Sequence, residues 1–379
     1  MKIDIRDVAA MRSLRPLEVA AYLRAQCWVP QSPVVHGSVW TKGEGANQFE
    51  IVVPMDQERR DYALRMGELL QTLAVAEQRS QVELYSDLLT TYADVIRIRI
   101  DDPEMMDGTL PMEEHALVAQ KVRDMLLAAA CSALQLRPVW HSRKPSQALD
   151  QVRRLRIGQT ERGSYVITVI SRVSPELHLQ QQGDLFGSEP PYERRVTQML
   201  ASSLATLDRA SSAAALTQYF ASFDDSVQHG VSANLCDAVA GLGGENDRNR
   251  NLEFIFSWSP ARPIEQRVPS RIRITSDRIP IIREASRIMK DRSPHEDYEL
   301  EGAVVKLERS EGQQPGKVTV IGPVDGKPHR VTMELSEPHY ALAIQAHQQQ
   351  QPIHCIGTLV KSGRGHTLRD ARDFTIENE

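Results

Sequence analysis

The chain of 379 residues carries 45 Lys and Arg against 50 Asp and Glu, a formal net charge of -5, with 41% hydrophobic and 5% aromatic residues. That balance excludes an evenly basic coat for bulk nucleic-acid binding, though not a local basic groove, and the length calls for two or three domains. The first residues form no apolar leader, and no apolar run reaches the roughly 18 residues of a membrane span, so a cytoplasmic protein of bacterial type without membrane attachment is expected. Cys27, Cys131, Cys236 and Cys355 are scattered without Cys-x-x-Cys spacing, which fits reduced, mostly buried thiols better than a disulfide framework or a zinc site.

In chain order, residues 14–26 read as a first helix, with Leu17, Val19, Ala20 and Leu23 near helical spacing. Pro16 falls in its first turn, where a missing N–H costs little. Strands are expected over 34–41 and 49–53, then a long helix to about residue 78 whose Tyr62, Met66, Leu69, Leu70 and Leu73 cover one face. Residues 84–92 continue it after a break. Residues 94–100, Asp-Val-Ile-Arg-Ile-Arg-Ile, alternate so that one face is apolar and the other carries Arg97 and Arg99, a strand solvated or paired on one side. A helix over 111–134 completes a first α+β domain, residues 1–143.

A central α+β domain, residues 144–292, opens with a helix over 146–155 and a strand over 165–173. A long loop over 180–191 follows, then helices over 192–210, 213–223 and 231–242, the last stopped by Gly243-Gly244. Residues 252–258 read as a buried strand. Arg271-Ile-Arg-Ile274 repeats the alternation seen at Arg97, and residues 279–290 form an amphipathic helix.

Residues 297–379 have the most specific pattern. Strand-like runs over 298–309, 317–322 and 329–335 precede a short helix over 338–347, and runs over 353–360 and 368–376 close the chain. Asp325-Gly326 marks a hairpin. Three strands, a helix and two strands is the order of an OB-type barrel. The fold class expected is therefore α+β and multidomain, two mixed regions followed by a C-terminal five-stranded OB-like β-barrel.

The densest positive run is Arg143, Lys144, Arg153, Arg154, Arg156 and Arg162, interrupted by Asp150 and Glu161. Phosphate is drawn to such clusters through charge and counterion release, and arginine holds it bidentately. The competing account is a solvated helix face with ion pairs. Lys361-Ser-Gly-Arg-Gly-His366 joins the last two barrel strands, where OB-folds wrap oligonucleotides, so Lys361, Arg364 and His366 join the candidates. The scarcity of aromatic rings weighs against base stacking there.

Acids at Asp101, Asp102, Glu104 and Asp107, and Asp224-Asp225 near His229, leave open a metal-dependent phosphodiesterase or nuclease, although solvated surface is the commoner fate of such clusters. No His-Glu-x-x-His, Gly-x-Ser-x-Gly or Walker string is present. Gly241-Leu-Gly-Gly-Glu245 is a helix stop because it follows a helix and has no lysine. Trp28 and Trp140, at element ends, are either core or anchors for a partner. The function expected is a non-catalytic nucleic-acid-binding or scaffolding subunit of a larger complex, with no cofactor and no metal. The alternatives are a pure protein-interaction component, of genome maintenance or phage defence, and the nuclease.

Overall fold

The computed structural model describes residues 5, 7–34, 37–102, 110–141, 143–158, 165–174, 190–244, 250–264, 268–309, 315–324, 326–362 and 365–377. The chain divides into two compact units. One comprises Met1–Leu136, Pro145–Val231 and Ala238–Ile282, the other Arg137–Lys144, Ser232–Asp237 and Arg283–Glu379. Among the described residues no helix is long and apolar enough to cross a membrane.

The first unit begins with helices α1 (Val8–Ser13) and α2 (Pro16–Ala25) and the antiparallel strands β1 (Val29–Val34), β2 (Gly37–Lys42) and β3 (Phe49–Pro54). A single strand is expected over 34–41, but Val34 pairs with Gly37, so the chain reverses there and two strands form. Helices α3 (Tyr62–Ala76) and α4 (Gln81–Leu89) follow. They are separate because Ser80 caps α4: its hydroxyl accepts from the Glu83 amide and the Glu83 carboxylate accepts from the Ser80 amide. Leu23, Trp28, Trp40, Tyr62, Leu70 and Leu88 meet in one apolar core. Trp28 is therefore a packing residue, and Trp140 is buried as well.

Strand β4 (Ala93–Asp101) leads into helix α5 (Met112–Ser132), helix α6 (Ser146–Arg154), and strands β5 (Arg156–Ile157) and β6 (Tyr165–Arg172). Helix α7 (Tyr192–Thr217) is continuous through Ser211 and Ser212, where a break is expected. Both serine hydroxyls donate back to the Asp208 carbonyl and so do not compete with the helix for its own amides. Gln218, with φ 59°, ends it in the left-handed conformation. Helices α8 (Ala221–Ser226) and α9 (Ala233–Leu242), strands β7 (Asn251–Ser257) and β8 (Arg271–Ile274), and helix α10 (Ile279–Arg292) complete the order before the barrel.

Five of these strands form one antiparallel sheet, β5-β6-β4-β7-β8. The two faces follow from the pairing, because directly opposed residues share a face and successive residues alternate. Ile96 is opposite Val169 and Phe256, and Ile98 is opposite Ile167 and Phe254. With Ile272 and Ile274 these make the buried face, at ~1.5–3 kcal/mol for each large apolar side chain taken out of water. Helix α7 packs against β6 and β8, with α5 against α7. Within this layer the Arg194 guanidinium of α7 lies 3.0 Å from the Asp94 carboxylate, and both are buried, at 2% and 0% exposure. The backbone amide of Ser259 donates to the same carboxylate. Burial pushes the Asp94 carboxyl up to about 6, against the opposing pull of Arg194 and of these hydrogen bonds.

In the second unit, β9 (His295–Glu308), β10 (Gly316–Val324), β11 (Lys327–Leu335), helix α11 (His339–Gln349), β12 (Pro352–Ser362) and β13 (Gly365–Ile376) make a closed five-stranded barrel in the order β10-β11-β13-β12-β9. All pairs are antiparallel except β11 with β13. The expected element order and the closed, OB-like barrel are both present. Val318, Val320, Val331, Met333, Ile353, Cys355, Leu368 and Phe374 fill the interior, with Tyr340, Ala343 and Ala346 of α11 closing on it. Gly302 is required where β9 crosses β10, since a Cβ there would collide with the Ile321 carbonyl.

Candidate nucleic-acid interface

The positive run of the sequence is divided between the two units. Arg143 and Lys144 belong to the second. Arg143 is almost fully exposed, 3.8 Å from the Asp297 carboxylate, and the Lys144 ammonium donates to the His141 carbonyl. Arg153, Arg154 and Arg156 belong to the first unit and come together at the C-terminal end of α6 and the start of β5. Arg162 lies outside the described residues, as do Ser142 and Thr160.

Part of the work of these arginines is local. Arg153 pairs with Asp150 at 3.0 Å, and Nη1 of Arg156 donates to the carbonyls of Arg153 and Leu155. Cations at a helix C-terminus complement its unsatisfied carbonyls, so this end of α6 is closed by its own arginines. A guanidinium has five N–H donors, however. Two carbonyls on one nitrogen leave most of Arg156 for another acceptor.

Beside them lies a cleft of about 500 Å³ lined by Tyr92, Arg154, Arg156, Arg172, Ser174 and Glu193, among others. Arg172 comes from β6 and shares a face with Arg156, because Arg156 is opposite Ile170, two residues before it. Among the described residues, no ion pair holds Arg154, Arg156 or Arg172. Glu193 is the one acid of the lining, and its Oε1 already accepts from the Ser174 amide at 2.8 Å and the Ser174 hydroxyl at 2.5 Å. Burial acts to raise the Glu193 carboxyl, yet the Ser174 hydrogen bonds and the charge of Arg154 outweigh it and hold the group below the usual glutamate range. The cleft therefore offers guanidinium groups on strand and helix, donors of the kind that pair with oxyanions, beside an ionised carboxylate that Ser174 hydrogen-bonds.

On the barrel, β10, β11 and β13 and the connections at their ends line an open cleft of about 1010 Å³. This is the face on which OB-folds take oligonucleotides. Lys317, Thr332, Glu334, His366, Thr367 and Arg369 stand in it. Its charges are matched, Lys317 standing opposite Glu334. Lys361 pairs with Asp291 at 2.9 Å, and the His366 ring meets that of His329 edge-on at 5.0 Å. Arg364 lies outside the described residues.

Of the acids proposed for metal chemistry, Asp101 ends β4 and Asp102 is paired with an arginine. Asp102 accepts from Nε of the buried Arg250 at 2.6 Å, and Glu114 accepts from the same guanidinium at 2.8 Å, a pairing that ties the end of β4 to α5. Glu104 and Asp107 lie outside the described residues, among which no group of three or more His, Cys, Asp or Glu could hold a metal ion. Arg172 was not singled out by sequence reasoning. Its only signal is its place after an apolar strand, and its partners come from an edge strand two residues long. No protein-family model matches the chain, and neither the curated proteins nor the solved structures searched contain a match.

Proposed function

We propose that the chain is a non-catalytic nucleic-acid-binding or scaffolding subunit that grips backbone phosphate chiefly through Arg153, Arg154, Arg156 and Arg172. The observation that carries this reading is the gathering of Arg154, Arg156 and Arg172 around one cleft whose single carboxylate is already hydrogen-bonded. Guanidinium groups hold phosphate oxygens in pairs and stay charged at every physiological pH. The connection between β12 and β13 is a weaker contributor, since Lys361 is engaged by Asp291. The matched charges of the barrel face favour a second role there, as the part that docks a protein partner.

Fluorescence anisotropy with labelled oligonucleotides at about 50 and 200 mM salt tests the reading, because each phosphate contact adds to the salt dependence. Salt-sensitive binding that Arg154→Glu/Arg156→Glu weakens by about tenfold or more is expected. Absence of binding at the lower salt would refute it. Cleavage of the oligonucleotide in the presence of divalent metal, abolished by chelation, would replace it with the nuclease.

A further inference from the structure

The face of the central sheet opposite its apolar layer carries an array of arginines that no single stretch of sequence contains. Ala93, Val95, Arg97, Arg99 and Asp101 of β4 define that face, since Ile96, Ile98 and Ile100 point the other way. The pairings of Ala93 with Arg172, of Arg156 with Ile170, of Arg99 with Glu253, of Glu253 with Arg273 and of Ile255 with Arg271 place the neighbours on it. Arg97, Arg99, Arg156, Arg172, Arg271 and Arg273 thus share one face. The acids of these strands on it are Asp101, at the end of β4, and Glu253. Glu253 lies 2.8 Å from Arg271 and 3.7 Å from Arg99, so one carboxylate serves a corner of three arginines. Val95, Val166 and Thr168 form a buried floor. Arginine stems characteristically cover such a floor with their charge toward water, and 67% of the Arg271 and 43% of the Arg99 side chain is exposed. Covering a floor accounts for the stems. It does not account for six permanent charges on one face of a chain whose net charge is -5.

We propose that this open sheet face is a track for the sugar–phosphate backbone of duplex nucleic acid, continuous with the Arg154, Arg156 and Arg172 cleft. The inference rests on the reading that the chain binds nucleic acid, and adds the surface and the form bound. Alternate arginines along a strand stand about 6.8 Å apart and neighbouring strands about 4.8 Å, a grid of donors that meets phosphates without reading bases. The choice of duplex follows from the rings. Tyr165, Phe254 and Phe256 all lie in register with the buried face, so the outward side chains of these strands are guanidinium, carboxylate, amide, hydroxyl and aliphatic groups, with no aromatic ring for a base to stack on. Single-strand binders without sequence preference rely on such stacking. A duplex turns its phosphates outward and its bases inward, and suits a face of this chemistry.

The full-length chain is titrated into a labelled duplex and into either of its strands, with Arg271→Gln/Arg273→Gln, Arg271→Lys/Arg273→Lys and Arg273→Gln beside the unaltered protein. Duplex binding tighter than single-strand binding is expected. The double Gln variant should lose about tenfold in affinity and about 1.8 from the slope of log K against log salt, as removal of two phosphate contacts requires. The Lys variant should recover most of both. Arg273 makes no ion pair among the described residues, so Arg273→Gln alone, with an unchanged melting temperature and about half the loss in slope, separates a binding effect from a folding one. Unchanged affinity and slope in both Gln variants, with binding still lost in Arg154→Glu/Arg156→Glu, would overturn the track and leave the proposed function standing. Tighter binding of the single strand would overturn the assignment to duplex, and no binding by the unaltered chain at low salt would overturn both.

Discussion

The central sheet and the barrel are each built of five strands around an apolar layer, yet they treat charge in opposite ways. Around the barrel, outward charges meet their opposites: Lys317 stands between Glu308 and Glu334 of the neighbouring strands, and Lys306 lies 2.6 Å from Glu308 along its own strand. Arg372 pairs with Asp297 and Lys361 with Asp291. On the central sheet the residues directly opposite the arginines are Thr168, Val166, Ala93, Ile170 and Ile255, with Glu253, opposite Arg99 and Arg273, as the one acid in the middle of the face. Opposite charges directly across a strand pair stabilise a sheet by ~0.2–1 kcal/mol, and like charges cost a similar amount. The barrel spends its surface on its own stability. The sheet keeps a field directed outward.

The largest expected effect lies beneath the arginine face, where the sheet alone buries an ion pair. Arg194→Met leaves the Asp94 carboxylate buried without its partner, and should cost the first unit ~3–5 kcal/mol in urea unfolding followed by tryptophan fluorescence. A loss below about 1 kcal/mol would show the pair to be dispensable. The same pair gives a pH dependence. The folded-state Asp94 carboxyl is raised from 3.8 to about 6, so its contribution is most favourable below about pH 4 and is lost as pH rises through 6, a change of about 3 kcal/mol. Comparing the unaltered chain with Asp94→Asn between pH 4 and 7 isolates this contribution, because the amide does not titrate. A difference that grows in favour of the unaltered chain as pH rises would contradict it.

Two smaller effects sharpen the contrast between the surfaces. Glu253→Gln removes the acid that holds Arg271 and Arg99, and should tighten duplex binding by about threefold at low salt, the gain shrinking as salt is added. On the barrel, Lys317→Gln/Arg369→Gln should change nucleic-acid affinity by less than about twofold, since Lys317 is already compensated. A tenfold loss there would move the main interface to the barrel.

The barrel was the most legible part of the chain because its evidence is local. Each strand follows the previous one within a few residues or one short helix, and the Asp325-Gly326 turn announces its hairpin. Arg97 and Arg99 were legible in the same way, as a period of two within one strand. What escaped was their company. Strands β4, β6 and β7 are separated by long helices, and nothing in a period of two says which strand will lie beside which. The run from Arg143 to Arg156 shows the converse. It is contiguous in sequence, yet Arg143 and Lys144 fall in one compact unit and Arg153, Arg154 and Arg156 in the other. Arg172, Arg271 and Arg273 were understated because their neighbours on the sheet are remote in sequence.

The sequence by itself determined the period of the long strands, most of the helices, and the order of elements that closes as an OB-like barrel. These rest on side-chain alternation, backbone sterics and hydrogen bonds within a few residues. Only the tertiary structure decided which arginines stand together and which are neutralised. Strand neighbours and register are settled by burying the apolar face of the whole sheet at once, so that fixing Ile96, Ile98, Phe254 and Ile272 against the helices also fixes the pattern of charge on the opposite face.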